Sequence, residues 1–231
     1  MNRRVVDWLP PQLGVSGGGV FPARHVWCVG RNYAEHAREM GADPQRSQPL
    51  FFSKPACAAN NDRLVVYPEH TGELHHEVEL VVAMGDGGRH LRPDAVEAAI
   101  FGYAVGVDLT RRDVQARAKQ AGHPWEMSKG FDQSAPLGRI APSTDWQPGT
   151  GSGIRLLVND ARRQQGRLGE MIWPVAELIA QLSRTVTLHA GDLVFTGTPA
   201  GVGPLVPGDR VRGEIDGLPA VEFSIEARSQ R

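Results

Sequence analysis

Cysteine is nearly absent from this sequence, and so is an excess of either charge. Cys28 and Cys57 are the only two cysteines among 231 residues. That is too few for a disulfide framework or a Cys/His zinc cluster. Both sit among apolar or small residues and read as buried free thiols rather than a disulfide. Lys and Arg total 25 against 26 Asp and Glu, a formal net charge of −1. Such a balance builds no field that would gather nucleic acid or an anionic membrane. No apolar run approaches the roughly 20 residues that cross a bilayer. The opening Met-Asn-Arg-Arg-Val-Val-Asp-Trp lacks the apolar core of a signal peptide, so the expected location is the cytoplasm. There is no Gly-Lys-Ser/Thr phosphate loop. Gly17-Gly18-Gly19 is not followed by the helix that a dinucleotide-binding turn requires.

Long helical patterns are scarce as well. With 27 glycines and 17 prolines, the chain reads as strands and loops with short helices. Residues 1–22 look like an irregular arm, and 23–231 like one α+β domain with no repeat or internal linker. His25 to Gly30 reads as a first strand, Arg31 to Met40 as a short helix stopped by Gly41 and Pro44, and Leu50 to Lys54 as an apolar strand ended by Pro55. Glu73 to Met84 reads as one acidic-to-apolar strand, Pro93 to Ile100 as a helix opened by proline, and Gly102 to Val107 as a buried strand. Thr110 is placed as the N-cap of a helix running to Gln120, with Gly122 and Pro124 as stop signals. Further strands are expected at Ile154–Val158, Leu193–Thr196 and after Asp209, and an amphipathic helix over Trp173–Ser183.

Two acids carry the most information. Glu77 and Glu79 stand two apart in His-His-Glu-Val-Glu-Leu-Val-Val, so on a strand they share a face about 7 Å apart. Burying like charges together without a partner costs several kcal/mol, in the range of about 3–5. Either a divalent cation lies between them or the strand is a solvated edge. Asp108, at the end of an apolar strand, supplies a third oxygen ligand or caps the following helix. Hard oxygen donors with open positions suit Mg²⁺ or Mn²⁺, with Ca²⁺ as a substitute, rather than zinc. His36 and Glu39 are three apart at helical spacing and form either a general-base dyad or a surface pair. Lys129 in Trp-Glu-Met-Ser-Lys-Gly-Phe and Lys54 in Phe-Phe-Ser-Lys-Pro are either anion-binding or exposed. Thr196-Gly197-Thr198-Pro199 is either a carboxylate cradle or a structural turn.

Taken together, several segments resemble the fumarylacetoacetate hydrolase family. They are Cys-Val-Gly-Arg-Asn-Tyr-Ala-Glu-His, Phe-Ser-Lys-Pro, Leu-His-His-Glu-Val-Glu-Leu, Gly-Tyr-Ala-Val-Gly-Val-Asp-Leu-Thr-Arg-Arg-Asp-Val-Gln, Lys-Gly-Phe-Asp and Gly-Asp-Leu-Val-Phe-Thr-Gly-Thr-Pro-Ala-Gly-Val-Gly-Pro. They occur in the family's order and span about residues 25–226. The resemblance implies a mixed β-sandwich roll with short peripheral helices, a homodimer, and one divalent cation held by Glu77, Glu79 and Asp108. It implies a lid dyad of His36 and Glu39, a catalytic Lys129, and a positioning Gln115. It implies substrate contacts from Thr198 and from the basic and aromatic group Arg31, Tyr33, Lys54 and Arg112.

What the resemblance further implies is hydrolysis of a carbon–carbon bond in a small diketo acid. The acylpyruvase branch is the most similar, with fumarylpyruvate cleaved to fumarate and pyruvate in gentisate-type breakdown of aromatics. Two rivals stand beside that expectation. One is a lyase that decarboxylates oxaloacetate, or decarboxylates and isomerises a homoprotocatechuate-pathway intermediate. The other is a non-catalytic metal- or metabolite-binding protein.

Overall fold

The computed structural model describes residues 5–39 and 48–228. Its centre is a six-stranded mixed sheet. The strand order is Ala141–Pro142, Ile100–Val107, Val78–Met84, Asp192–Phe195, His25–Gly30 and Leu50–Lys54. All neighbours are antiparallel except Asp192–Phe195 and His25–Gly30, which run parallel. A second sheet of five strands has the order Ala161–Arg167, Gly153–Val158, Arg210–Ile215, Val221–Glu226 and Leu64–Val66. The α+β class and the mixed sandwich expected from the sequence are what the chain forms.

The strand Val78–Met84 lies third of six, and all seven of its residues are buried. Successive side chains point to opposite faces. Leu80, Val82 and Met84 join a core with Val105, Ile154, Leu156, Val211 and Phe223, between the two sheets. Val81 and Ala83 enter a second core with Val26, Cys28, Leu193, Phe195, Leu13 and Phe21. The solvated-edge reading of Glu77 and Glu79 therefore fails, because both faces of this strand are covered. Gly106 permits the tight stacking at this point. A Cβ there would come within 2.6 Å of Val81 and 2.8 Å of Phe195.

Several expectations are corrected. The N-terminal arm is not wholly irregular: Gln12–Gly14 pairs with Val20–Pro22, and the glycines between them make the turn. Leu13, Val15 and Phe21 are buried, so the arm closes one face of the second core. The run from Glu73 is not one strand. Leu74–His76 and Val78–Met84 are separate strands that break at Glu77, and the first belongs to a small sheet with Thr110–Arg111 and Gly203–Leu205. Thr110 does not cap a helix; it lies in that small sheet, and the helix is Arg112–Ala121 with Arg111 before it. Gly122 ends this helix in the left-handed conformation, φ 67°, as a C-terminal glycine does. Cys28 is buried, but Cys57 is exposed in the short turn after Pro55. The helix at Ala34–Glu39 forms, whereas its expected stop signals, Gly41 and Pro44, lie outside the described residues. Among the described residues, no helix is long and apolar enough to cross a membrane.

Candidate active site

The break at Glu77 sets the geometry of the site. Leu74–His76 leaves the sheet on one side of it and Val78–Met84 enters on the other. Glu77 and Glu79 thus sit at the mouth of the central strand, beside Asp108 at the end of its neighbour Ile100–Val107. Carboxylate oxygens of the three residues lie within 4.8 Å of one another, and all three residues are buried. Asp108 caps no helix. Its Oδ1 lies 2.8 Å from Lys54 Nζ and its Oδ2 accepts from Lys129 Nζ at 2.6 Å.

The three acids do not share one electrostatic fate. Burial would raise Glu77, but Lys129, Arg112 and His36 outweigh it and hold the carboxyl far below its ordinary value. Lys129 Nζ donates to Glu77 at 2.8 Å, and Arg112 donates to its other oxygen. Glu79 is pushed well above the ordinary carboxylate range by burial, then by Asp108 and Glu77. The Gly197 N–H, which donates to it at 2.7 Å, and the Lys129 charge relieve this only in part. A buried cluster of oxygen donors with a carboxyl pushed toward its protonated form is a site for one divalent cation. The donor set, three hard oxygens and no nitrogen or sulfur, fits Mg²⁺ or Mn²⁺.

His36, on the helix Ala34–Glu39, borders the same pocket. Its Nδ1 lies 3.5 Å from Glu39 Oε2, and burial lowers its pKa against the raising effects of Glu77 and Glu39. The ring is therefore neutral near pH 7, with Nδ1 turned to Glu39 and Nε2 left as the basic nitrogen. Glu39 in turn accepts from the Gly201 N–H at 3.0 Å, which latches the helix to the loop after Asp192–Phe195. Gly201 has φ 91°, and a Cβ there would meet the Arg163 carbonyl at 2.2 Å, so only glycine fits.

Gln115 and Thr198 also line the pocket, and neighbours orient both. Arg112 donates to Gln115 Oε1 at 2.6 Å, leaving the Gln115 amide nitrogen to donate. Gln164 donates to Thr198 Oγ1 at 2.8 Å, leaving the hydroxyl hydrogen available. Lys129 is fully buried; burial alone would lower it, but Asp108 and Glu77 keep the ammonium above its ordinary value. Arg31 borders the pocket with φ 63°, an uncommon conformation for a residue with a side chain.

Two predicted substrate contacts are placed elsewhere. Lys54 is 1% exposed and spends its three donors inside the protein, on the carbonyls of Leu109 at 3.1 Å, Lys129 at 2.5 Å and Ser134 at 3.0 Å, beside Asp108. It neutralises and steadies Asp108 from behind. Tyr33 is 2% exposed, pairs by backbone with Met171, and does not line the pocket.

Two positioning residues were missed. Gln164 is buried, accepts from the Val78 N–H at 3.0 Å, contacts His76 Nδ1 at 2.9 Å and donates to the Pro199 carbonyl at 2.9 Å. It ties the hairpin Gly153–Arg167 to both the acidic strand and the Thr198 loop. His76 beside it is held neutral, its pKa pushed down to about 4 by burial. Asn32 donates to the carbonyls of Trp173 at 3.0 Å and Thr196 at 2.8 Å and accepts from the Trp173 N–H at 2.8 Å. It fixes the entry to the His36 helix. Gln164 has no sequence signal, since a lone amide in a polar strand is ordinary, whereas Asn32 lies within the Cys28–His36 segment that carries the resemblance.

A family model described as fumarylacetoacetate (FAA) hydrolase C-terminal matches residues 25–226. The crystal structure of a fumarylpyruvate hydrolase from Pseudomonas aeruginosa, in complex with Mn²⁺ and pyruvate, is 45% identical with a TM-score of 0.93. That likeness covers 98% of this chain and 100% of that one. Oxaloacetate tautomerase YcgM of Escherichia coli K12 is 45% identical over 203 residues, 85% of this chain and 90% of that protein. Human mitochondrial oxaloacetate tautomerase FAHD1 is 38% identical over 204 residues, 88% of this chain and 92% of that protein.

Proposed function

Because the chain belongs to the fumarylacetoacetate hydrolase family, we propose that it is a divalent-metal-dependent hydrolase that cleaves the carbon–carbon bond of an acylpyruvate, fumarylpyruvate to fumarate and pyruvate. The observation that carries this reading is one pocket lined by Glu77, Glu79 and a neutral His36 backed by Glu39, with Asp108 completing the acidic triad behind it. A hydrolase needs a base for water beside its metal, whereas a decarboxylase needs no attacking water. The likeness to the Pseudomonas hydrolase takes in most of residues 1–22 as well as the family domain, and supports the same reading.

Glu77, Glu79 and Asp108 would hold the cation, which supplies Lewis-acid charge to the oxygens of the α-keto acid end. His36 Nε2 takes a proton from water, and Glu39 orients the ring and steadies its imidazolium form. The water oxygen bonds to the distal carbonyl carbon. The adjacent carbon–carbon bond then breaks, its electron pair leaving with the pyruvate fragment as an enolate that is later protonated. Lys129, held charged, and the Gln115 amide offer donors to the developing oxyanion. Thr198 offers its hydroxyl to the substrate.

The second reading is an oxaloacetate tautomerase. Identities of 37–45% to curated enzymes of that name favour it, and it uses the same acidic triad without carbon–carbon cleavage. Ultraviolet loss of the diketo chromophore, followed with and without Mg²⁺ or Mn²⁺, separates the two. Metal-dependent cleavage of fumarylpyruvate with release of pyruvate supports the hydrolase. Enol–keto interconversion of oxaloacetate without cleavage of any acylpyruvate replaces it with the tautomerase.

A further inference from the structure

Four cationic side chains border the pocket: Arg31, Arg112, Lys119 and Lys129. Two are spoken for. Lys129 is paired with Glu77 and Asp108, and Arg112 with Glu77. Lys119 and Arg31 have no carboxylate partner among the described residues. Lys119 lies on the helix Arg112–Ala121, half-buried, with its ammonium 5.1 Å from the centre of the Trp125 ring. Burial, then Arg112 and Arg31, outweigh the pull of Glu77 and push its pKa below the ordinary lysine value.

Trp125 continues inward. Its ring centre is 5.9 Å from that of Phe52, and Lys129 Nζ lies 5.0 Å from the centre of Phe52. Phe52 and Trp125 thus form an aromatic wall along the pocket, with an ammonium at each end. Lys129 marks the end beside Glu77 and Asp108, and Lys119 the Trp125 end, where the charge of Arg31, on the same pocket, also reaches it. The two rings are inclined at 58°, so a conjugated acyl arm that stacks on one meets the other obliquely. A carboxylate at its tip would meet Lys119.

Resting on the acylpyruvase reading, we infer that Lys119, with Trp125 as its platform, is a specificity-determining residue that binds the terminal carboxylate of a dicarboxylic acylpyruvate. Arg31 is the second cation of this subsite. The length of the wall matters. At about 1.25 Å of advance per carbon–carbon bond, a four-carbon keto acid extends only about 4 Å and a seven-carbon one about 7.5 Å. Only the longer chain passes from the first ring to the second.

The test compares wild type, Lys119→Met and Lys119→Arg on two substrates under saturating Mn²⁺: succinylpyruvate, whose acyl arm ends in a carboxylate, and acetylpyruvate, whose arm is neutral. The readout is the ratio of kcat/KM for the acidic substrate to that for the neutral one. In Lys119→Met this ratio falls about ten- to a hundredfold, the size expected for a lost charge-assisted contact. The loss lies in KM for succinylpyruvate rather than kcat, and Lys119→Arg restores most of it. The inference is overturned if the ratio stays within threefold of wild type, or if arginine does no better than methionine. A wild type that cleaves neither compound ends the hydrolase reading alone. The same ratio is then taken between calorimetric dissociation constants of the uncleaved diketo acids, and the same limits decide.

Discussion

His36 shows how much one residue's role depends on burial. An exposed His–Glu pair at helical spacing is usually a weak surface contact. Here the ring is buried against the pocket, its pKa is lowered, and its carboxylate partner is latched to Gly201. Because the folded-state value lies below the ordinary 6.5, the ring is deprotonated at neutral pH and gains its proton only as pH falls through that lowered value. On the hydrolase reading, the kcat/KM profile should therefore be flat near pH 7 and fall on the acid side at a midpoint below 6.5. An acidic midpoint above that value would assign the base elsewhere. His36→Ala should cost about 10²–10⁴ in kcat while Mn²⁺ affinity, read by calorimetry, stays near wild type. Lys54 teaches the opposite lesson. Its sequence setting resembled that of Lys129, yet it sits behind Asp108 with every donor satisfied inside the protein.

Among the elements, the strand Val78–Met84 does the positioning. Both faces are covered, so its register is set by two cores at once, and a shift of one residue would expose Leu80 and Val82 to the wrong layer. Glu79 is therefore held where it stands by packing as well as by the Gly197 N–H. Gly106 on the neighbouring strand should be intolerant of any side chain. Gly106→Ala should destabilise by about 1–3 kcal/mol through overpacking against Val81 and Phe195, measured as a lower denaturant midpoint with an unchanged slope. Gln164 is the matching polar case. Gln164→Leu leaves the Val78 N–H without its acceptor and frees the Thr198 loop, at a cost of roughly 2–4 kcal/mol. The same variant should also raise KM, since Thr198 loses the partner that orients it. Stability loss with KM unchanged would remove Thr198 from substrate binding.

For the whole molecule, the site is a seam. It gathers the break at Glu77, the strand end at Asp108, the helices bearing Lys129 and Gln115, the His36 helix and the loop of Gly197 and Thr198. A cation bound by the triad should stabilise the folded chain, since the unfolded chain has no such arrangement. Metal at a hundred times its dissociation constant adds about 2.7 kcal/mol, which corresponds to a Tm higher by about 5–10 °C in a domain of this size. Mg²⁺ and Mn²⁺ should each produce the shift in thermal melts. Glu79→Gln should abolish it while leaving the metal-free fold intact, because the raised pKa shows that the neutral form suits this position. A full shift in that variant would place the metal elsewhere.

The period of the chain was enough to find most strands, the helix over Val175–Thr185 and the helix at Ala34–Glu39, because burial on one face writes itself into residue order. Ordered motifs along the chain were enough to name the triad, the His36–Glu39 pair and the family. The hairpin Gln12–Gly14 with Val20–Pro22 left no period to read, because three glycines and short strands carry too few side chains. The break at Glu77 was hidden too, since a strand that bends between two sheets keeps its alternation on both sides. What surrounds each lysine was beyond reach of sequence. Lys54, Lys119 and Lys129 differ in what the fold packs around them: a cage of carbonyls, a tryptophan face with no carboxylate in contact, and the carboxylates of Glu77 and Asp108. Those surroundings come from segments distant in the chain, and only tertiary structure brings them together.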